Sequence, residues 1–411
     1  MFAAIWAGRT LRAAGSRASV VALDGAKMLG AKILVAGGGR CNVTHHAVDE
    51  GAYAGSSRNA IRKVLRAFDV ARTVEFFGEL GVGLKREETG KLFPTTDDAH
   101  TVLDALLRAA REVGGVELVH PWRVGEVRRD ANGFVVVREG TNEEIRAGRV
   151  IVAAGGMALP RSGSDGKGYE FVRGLGHTVT PVFPALVPLV LGDAGAWIKE
   201  LSGLTLAATI ELRSGTGKKI VEFTNSTLCT HFGISGPGVL DMSRYYTQAR
   251  RGDAGAKLTM NWLPGMEFDG VDAWLAEKSG VGIAKRLAER LPERLGRALC
   301  VSAGVDPGAL IGNVKRDDRR SVARRVVASE LPVNGDRGFT HAEVTAGGVP
   351  LAELHLSTME SRVCAGLHLC GEICDVDGRI GGFNFQWAWA SGYAAGVGAA
   401  GAIVGGGGEG A

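Results

Sequence analysis

The sequence predicts an α/β chain built on a parallel, Rossmann-like sheet, with a second domain inserted into it. Three observations carry that expectation. The run Ala18-Ser19-Val20-Val21-Ala22-Leu23-Asp24 is a strand with an acid at its tip, and it follows an opening helix as in a βαβ unit. The run Val150-Ile151-Val152-Ala153-Ala154-Gly155-Gly156 is apolar and closes on small residues, as a central parallel strand does where its carboxyl end faces a ligand. From about residue 187 to 340 the style changes, strand-rich to Asn261 and then helical with Lys and Arg between Trp274 and Glu330. The expected division is a nucleotide-binding domain in two parts, 1–186 and 341–404, an insert over 187–340, and a flexible glycine tail over 405–411.

Composition narrows the class. Glycine takes 62 of 411 positions, about twice the usual share, with only 12 prolines and no collagen period. Hydrophobic residues at 45% and charged residues at 22% exclude a disordered chain. The net charge of +4 is a mild excess that suits contact with phosphates without demanding nucleic acid. Six scattered cysteines form neither a CxxC pair nor a disulfide framework, so free thiols in a reducing cytosol are expected, and no metal site.

In chain order, residues 1–14 read as a helix ended near Gly15. Asp24 then stands where a dinucleotide fold places the acid that accepts from an adenosine ribose. The stretch Gly37-Gly38-Gly39-Arg40-Cys41-Asn42-Val43-Thr44 combines backbone without side chains, a guanidinium, a thiol and an amide, which suits an anion held by backbone N–H groups. Residues 58–113 read as helical, broken at Phe93–Asp97, where a Thr or Asp caps the run Ala99–Arg111. Val116 to Val137 reads as an antiparallel meander turning at Asp130–Gly133. Ser162–Gly168 opens a helix. Gly215-Thr216-Gly217-Lys218-Lys219 lacks the first glycine of a P-loop, because position 212 is Leu212, and reads as a hairpin turn. Asp375-Val376-Asp377-Gly378 departs from a calcium loop at Arg379 and at Gln386. Ile380 to Val404 is uncharged and long enough to span a bilayer, but its Gly and Ala content favours a helix packed inside an α/β domain.

Taken together, Gly37–Thr44, Phe93-Pro94, Ala153–Gly156, Thr230–Pro237 and Gly371-Glu372 through Gln386 resemble the BaiN/RdsA-type (YhiN-like) family of FAD-dependent oxidoreductases, over nearly the whole chain. The resemblance implies a glutathione-reductase-type FAD domain, split by an insert. It implies that Asp24 holds the ribose, that Gly37, Gly38, Gly39 and Arg40 line the FAD channel, and that Ala154, Gly155 and Gly156 pass near the pyrophosphate. Glu372 falls near the ribityl and pyrophosphate groups, Gly371 and Asp377 are further cofactor-binding positions, and Gly381, Gly382, Phe383 and Asn384 start the helix that points at the flavin. The implied activity is reduction of a carbon–carbon double bond by NAD(P)H through FAD, in a uracil of ribosomal RNA or a steroid-like enone. The alternative is an FAD-binding sensor or assembly protein without turnover. Cys41 and His231 are the candidate proton donors, each with packing or structural hydrogen bonding as the plainer role. Lys315–Arg325, with six cations in eleven residues, is the candidate RNA contact or else a solvated helix face.

One departure stands out. The family's first strand and G-x-G-x-x-G turn have no counterpart, since residues 1–7 match the interior of the helix that follows them. The expectation is either a start upstream of Met1 or weak FAD binding, with exposed edges on the two strands that flank the missing one.

Overall fold

The computed structural model describes residues 1–112, 116–277 and 280–406. The chain divides into two compact units, Met1–Phe183 with Val344–Ala411, and Pro184–Glu343. The divisions lie three residues before the expected 186/187 boundary and three after the expected 340/341 boundary.

In the first unit, the helix Phe2–Ala13 buries Phe2, Ala3, Ile5, Ala7 and Leu11. Its partner is the helix Phe383–Gly406, which covers the uncharged run and reaches into the expected tail; residues 407–411 lie outside the described residues. Small residues let the two backbones close up. A Cβ on Gly396 would stand 2.3 Å from the Ala3 carbonyl oxygen. Among the described residues no helix is long and apolar enough to cross a membrane.

The parallel sheet comes in two pieces. Val20–Leu23 pairs in parallel with Val116–Val119. Val150–Val152 pairs in parallel with Leu367–Leu369, which continues antiparallel through Glu360–Ser361 to Leu354–His355. Among the described residues, neither Val20–Leu23 nor Val150–Val152 has a strand on its second edge. The two strands expected to lack a neighbour on one edge therefore do lack a paired strand there, although Val152 is buried. Strands of this kind are normally covered on both faces, yet Val21 is 37% exposed and Val20, Ala22 and Leu23 are only half-buried.

Two local readings need correction. Val116–Val119 does not belong to the meander, because its backbone is satisfied by the Val20 strand; the meander is Val124–Asp130, Gly133–Arg138 and Glu144–Ala147. The break between helices is itself a sheet: Lys91–Pro94 lies between Thr44–His45 and Leu84–Arg86, all antiparallel. The cap of the helix Ala99–Glu112 is Asp98, which accepts the His100 N–H at 2.9 Å, while Asp97 is drawn to Lys85.

The second unit is a seven-stranded antiparallel sheet in the order Ser329–Leu331, Lys257–Asn261, Thr205–Arg213, Lys219–Thr230, Gly233–Ser235, Leu189–Leu191, Val333–Asp336. The hairpin expected at Gly215–Lys219 joins Thr205–Arg213 to Lys219–Thr230. A helix that the strand-rich reading missed, Pro237–Gly252, interrupts it; proline at its first position is pre-set for helical φ. The helices Phe268–Ala276, Glu293–Ser302 and Arg316–Val327 contribute Val271, Leu295, Leu299, Val322 and Val326 to the core of this unit.

Candidate cofactor site

Three successive glycines set the first wall. Gly37, Gly38 and Gly39 have φ of +59°, +69° and +87°, a left-handed path that side chains resist, and a Cβ on Gly38 would meet nothing within 4 Å. The chain then turns inward. Cys41 is fully buried, and burial pushes its thiol up to about 12. Asn42 is buried as well, and its Oδ1 has no hydrogen-bond partner, an orphaned acceptor beside open glycine backbone. A buried acceptor of this kind costs stability unless something donates to it.

The second wall is the start of the helix Phe383–Gly406. A Cβ on Gly382, at φ +95°, would lie 2.6 Å from the Thr44 carbonyl carbon, so only glycine lets the helix start close on the Cys41–Thr44 segment. A buried network locks the two together. Thr44 Oγ1 and Thr73 Oγ1 donate to Gln386 Oε1 at 2.7 and 3.0 Å, and Gln386 Nε2 donates to the Phe68 carbonyl at 2.8 Å. Trp389 Nε1 donates to the Val43 carbonyl at 2.9 Å, and Tyr53 O–H to the Phe383 carbonyl at 2.8 Å. His45 stacks on Phe383 with centroids 4.9 Å apart. The Asn384 amide is engaged at both ends by Gly378, accepting its N–H and donating to its carbonyl. Asp377 is buried in the strand Val376–Gly378, which pairs with Tyr53–Gly55.

The third wall joins the two sheet pieces. Glu372 Oε2 accepts from Lys32 Nζ at 2.8 Å, and Glu372 Oε1 accepts the Thr345 N–H at 2.8 Å. Thr345 Oγ1 in turn accepts the N–H groups of Met157 and Ala158 at 2.8 and 3.0 Å. Gly156 fits between them, since its Cβ would stand 2.4 Å from Thr345 Oγ1 and 2.8 Å from Glu372 Oε1. Gly155, at φ +74°, and Ala154 line the same loop. Gly371 is held through its N–H by Ser391 and its carbonyl by Trp387.

Other expected residues stand apart from this knot. Asp24 caps the tip of its strand, its Oδ1 accepting the Ala26 N–H at 2.8 Å. The Arg40 guanidinium lies 2.6 Å from Glu87 and 3.6 Å from Asp97, over the Phe93 ring, and the hydrogen bond it donates to Glu87 raises its pKa. His231 belongs to the second unit, exposed in the turn between Lys219–Thr230 and Gly233–Ser235. In that unit too, the helix Arg316–Val327 has Arg319 at 2.8 Å and Arg320 at 3.7 Å from Asp272, whose carboxyl the Arg319 hydrogen bond holds below its usual range. Sequence reasoning missed Lys32, Thr345, Tyr53 and Gln386. Lys32 alone left a signal, a lone cation in the apolar run Ala31–Val35 just before the glycines.

The residues present fit FAD: a left-handed glycine wall, an orphaned buried amide oxygen, a helix start closed on the Cys41–Thr44 segment that follows that wall, and a carboxylate fixed beside a glycine loop. The HI0933-like protein Rossmann domain matches residues 1–398. A 3-dehydro-bile acid delta(4,6)-reductase of Clostridium scindens is 34% identical over 93% of this chain and 93% of its own. A ribosomal RNA dihydrouridine synthase of Escherichia coli is 31% identical over 96% of this chain and 94% of its own. Among solved structures, E. coli quinol fumarate reductase FrdA shares the fold at a TM-score of 0.50 and 16% identity, covering 100% of this chain and 70% of its own. The chain belongs to the HI0933-like family, and its fold is that of the FAD-dependent oxidoreductases.

Proposed function

We propose that the chain is a flavin-dependent reductase that saturates a carbon–carbon double bond, with NAD(P)H as the source of electrons. The observation that carries this reading is the closure of Gly382 on Thr44, which sets the first turn of a 24-residue helix on the segment that carries the orphaned Asn42 acceptor two residues earlier. Bound FAD supplies two-electron hydride chemistry at that place. The chain's residues hold and tune it. Asn42 offers an acceptor in a water-poor wall, and the helix N-terminus brings about half a positive charge toward negative charge at its end. Glu372, fixed by Lys32 and Thr345, offers its remaining lone pairs to hydroxyl donors.

Saturation of a double bond also needs a proton on the second carbon. A thiol pushed up to about 12 holds its proton too tightly to deliver it near neutrality, which favours packing as the role of Cys41. The other candidate, His231, is exposed in the turn after Lys219–Thr230. The names of the two relatives support an unsaturated ring as substrate, a bile acid in one and a uracil of ribosomal RNA in the other.

RNA is favoured by one further observation. Arg319 and Arg320 are held by Asp272, which Arg316 also influences, but Lys315, Arg324 and Arg325 have no recorded ion pair among the described residues. Reversing those three charges then weakens RNA binding and flattens its salt dependence, while a steroid reductase is indifferent to it.

The test is anaerobic. A yellow protein bleached by NAD(P)H and recoloured by an unsaturated substrate supports the reductase. Bound FAD that NAD(P)H leaves oxidised favours the non-enzymatic alternative, and a chain that ignores added FAD removes the flavin reading.

A further inference from the structure

The sequence offers Arg40 as the cation of the nucleotide site, but its guanidinium is occupied by Glu87, Asp97 and the Phe93 ring. The cation that the fold brings to the glycine loop at 155–156 is Lys32. Its ammonium is 2.8 Å from Glu372 Oε2, with the Lys32 and Glu372 side chains only 31% and 18% exposed. The other oxygen of that carboxylate takes the Thr345 N–H, and the same oxygen is the one a Cβ on Gly156 would approach to 2.8 Å. Lys32 therefore reaches from the segment after the strand Val20–Leu23 across to the segment after Leu367–Leu369.

We propose that Lys32 is the phosphate-binding cation of the dinucleotide site, shared between Glu372 and the cofactor's pyrophosphate. This inference rests on the FAD reading above. An ammonium has three donors and Glu372 uses one, so two remain for phosphate oxygens. The pairing also explains how a carboxylate is tolerated beside a doubly negative pyrophosphate: Lys32 offsets its charge and prevents repulsion. Glycine at 156 lets the loop close on Thr345 and Glu372, where a Cβ would stand 2.4 and 2.8 Å from their oxygens.

The test compares binding of FAD with that of riboflavin, which has the ring and ribityl chain but no phosphate, to the full-length protein by flavin fluorescence. Lys32→Met should weaken FAD by about ten- to a hundredfold, the loss of a contact to a charged group, and leave riboflavin unchanged. The salt dependence of FAD binding should flatten, and Lys32→Arg should restore most of the affinity. In Lys32→Met/Glu372→Gln, FAD should stay weak while riboflavin still binds. Full recovery of FAD in that double variant would mean that Lys32 only neutralises Glu372, and equal loss of both ligands in Lys32→Met would mean that it only supports the fold; either overturns the proposal. If the unaltered chain binds riboflavin no more weakly than FAD, phosphate recognition fails while the flavin reading stands. If it binds neither, the flavin reading fails with it.

Discussion

Substituting Gly396 by Ala isolates the close approach of the two long helices. A Cβ there would stand 2.3 Å from the Ala3 carbonyl oxygen, 3.1 Å from the Ala3 carbonyl carbon and 3.1 Å from the Ala7 nitrogen, all backbone atoms that no rotamer change moves aside. The helices must part by about 1 Å, and overpacking of this kind costs about 1–3 kcal/mol. Alanine also gains about 1 kcal/mol over glycine in a helix, which hides part of that cost. Gly401 is the internal control, exposed in the same helix with nothing within 4 Å of an added Cβ. Gly401→Ala gains the same propensity without the clash, so the difference between the variants should be the packing cost itself. Two units unfold together or apart, so a whole-chain transition mixes them. Native-state hydrogen exchange of the amides of Phe383–Gly406 reads this helix alone. Protection should fall in Gly396→Ala relative to Gly401→Ala by about 1–3 kcal/mol; equal protection would refute close packing as the reason for glycine here.

Two further outcomes follow from burial. With its thiol pushed up to about 12, Cys41 should resist iodoacetamide at about pH 8 in the folded chain, since only about one thiol in ten thousand is ionised; rapid alkylation at Cys41, mapped by mass spectrometry, would place it in a more polar setting. His368 is fully buried in the strand Leu367–Leu369 with Nδ1 on the Thr358 carbonyl, and burial lowers its pKa below the ordinary value of about 6.5. The unfolded chain therefore binds the proton more readily, and stability is full above about pH 6.5 and lost as pH falls toward the folded pKa. His368→Gln should flatten that acid-side loss in urea titrations, and an unchanged slope would assign it to other groups.

The legible parts of the fold were those fixed by local pattern. The acid-tipped strand, the small-residue strand at 150–156 and the hairpin at 215–219 each carry their cause in a few neighbouring residues. Val116–Val119 was misread because a short β-rich run looks the same whether its partner is the next strand or one that lies nearly a hundred residues earlier. The candidate site divides in the same way. Its glycines were readable, because positive φ and close approach demand glycine wherever they occur. Its polar partners were not: Gln386 meets Thr44 and Thr73 across more than three hundred residues, and Lys32 meets Glu372 across 340. Arg40 shows the converse, a residue whose chemistry suits an anion and whose fold neighbours, Glu87 and Asp97, claim it first.

The two open strand edges make the last prediction. A strand edge leaves N–H and C=O groups free to pair with another chain, and natural proteins blunt such edges with charge, proline or cover. Val20-Val21-Ala22-Leu23 holds neither charge nor proline, no strand pairs with its second edge among the described residues, and Val21 is 37% exposed. Nearby apolar surface adds to the hazard, with Met28 65% and Val35 57% exposed. The chain should therefore self-associate in a concentration-dependent way, and Val21→Lys should suppress that by placing a charge on the edge strand. Sedimentation velocity over a concentration series measures it, with far-UV circular dichroism as the check that the fold is intact. A parent chain that stays monomeric throughout, or a Val21→Lys variant that associates as strongly, would show that these edges are covered in solution. Cover by the chain's own flavin site would announce itself in one further way: added FAD would then suppress association of the parent, because a ligand bound only to the covered state draws the population toward it.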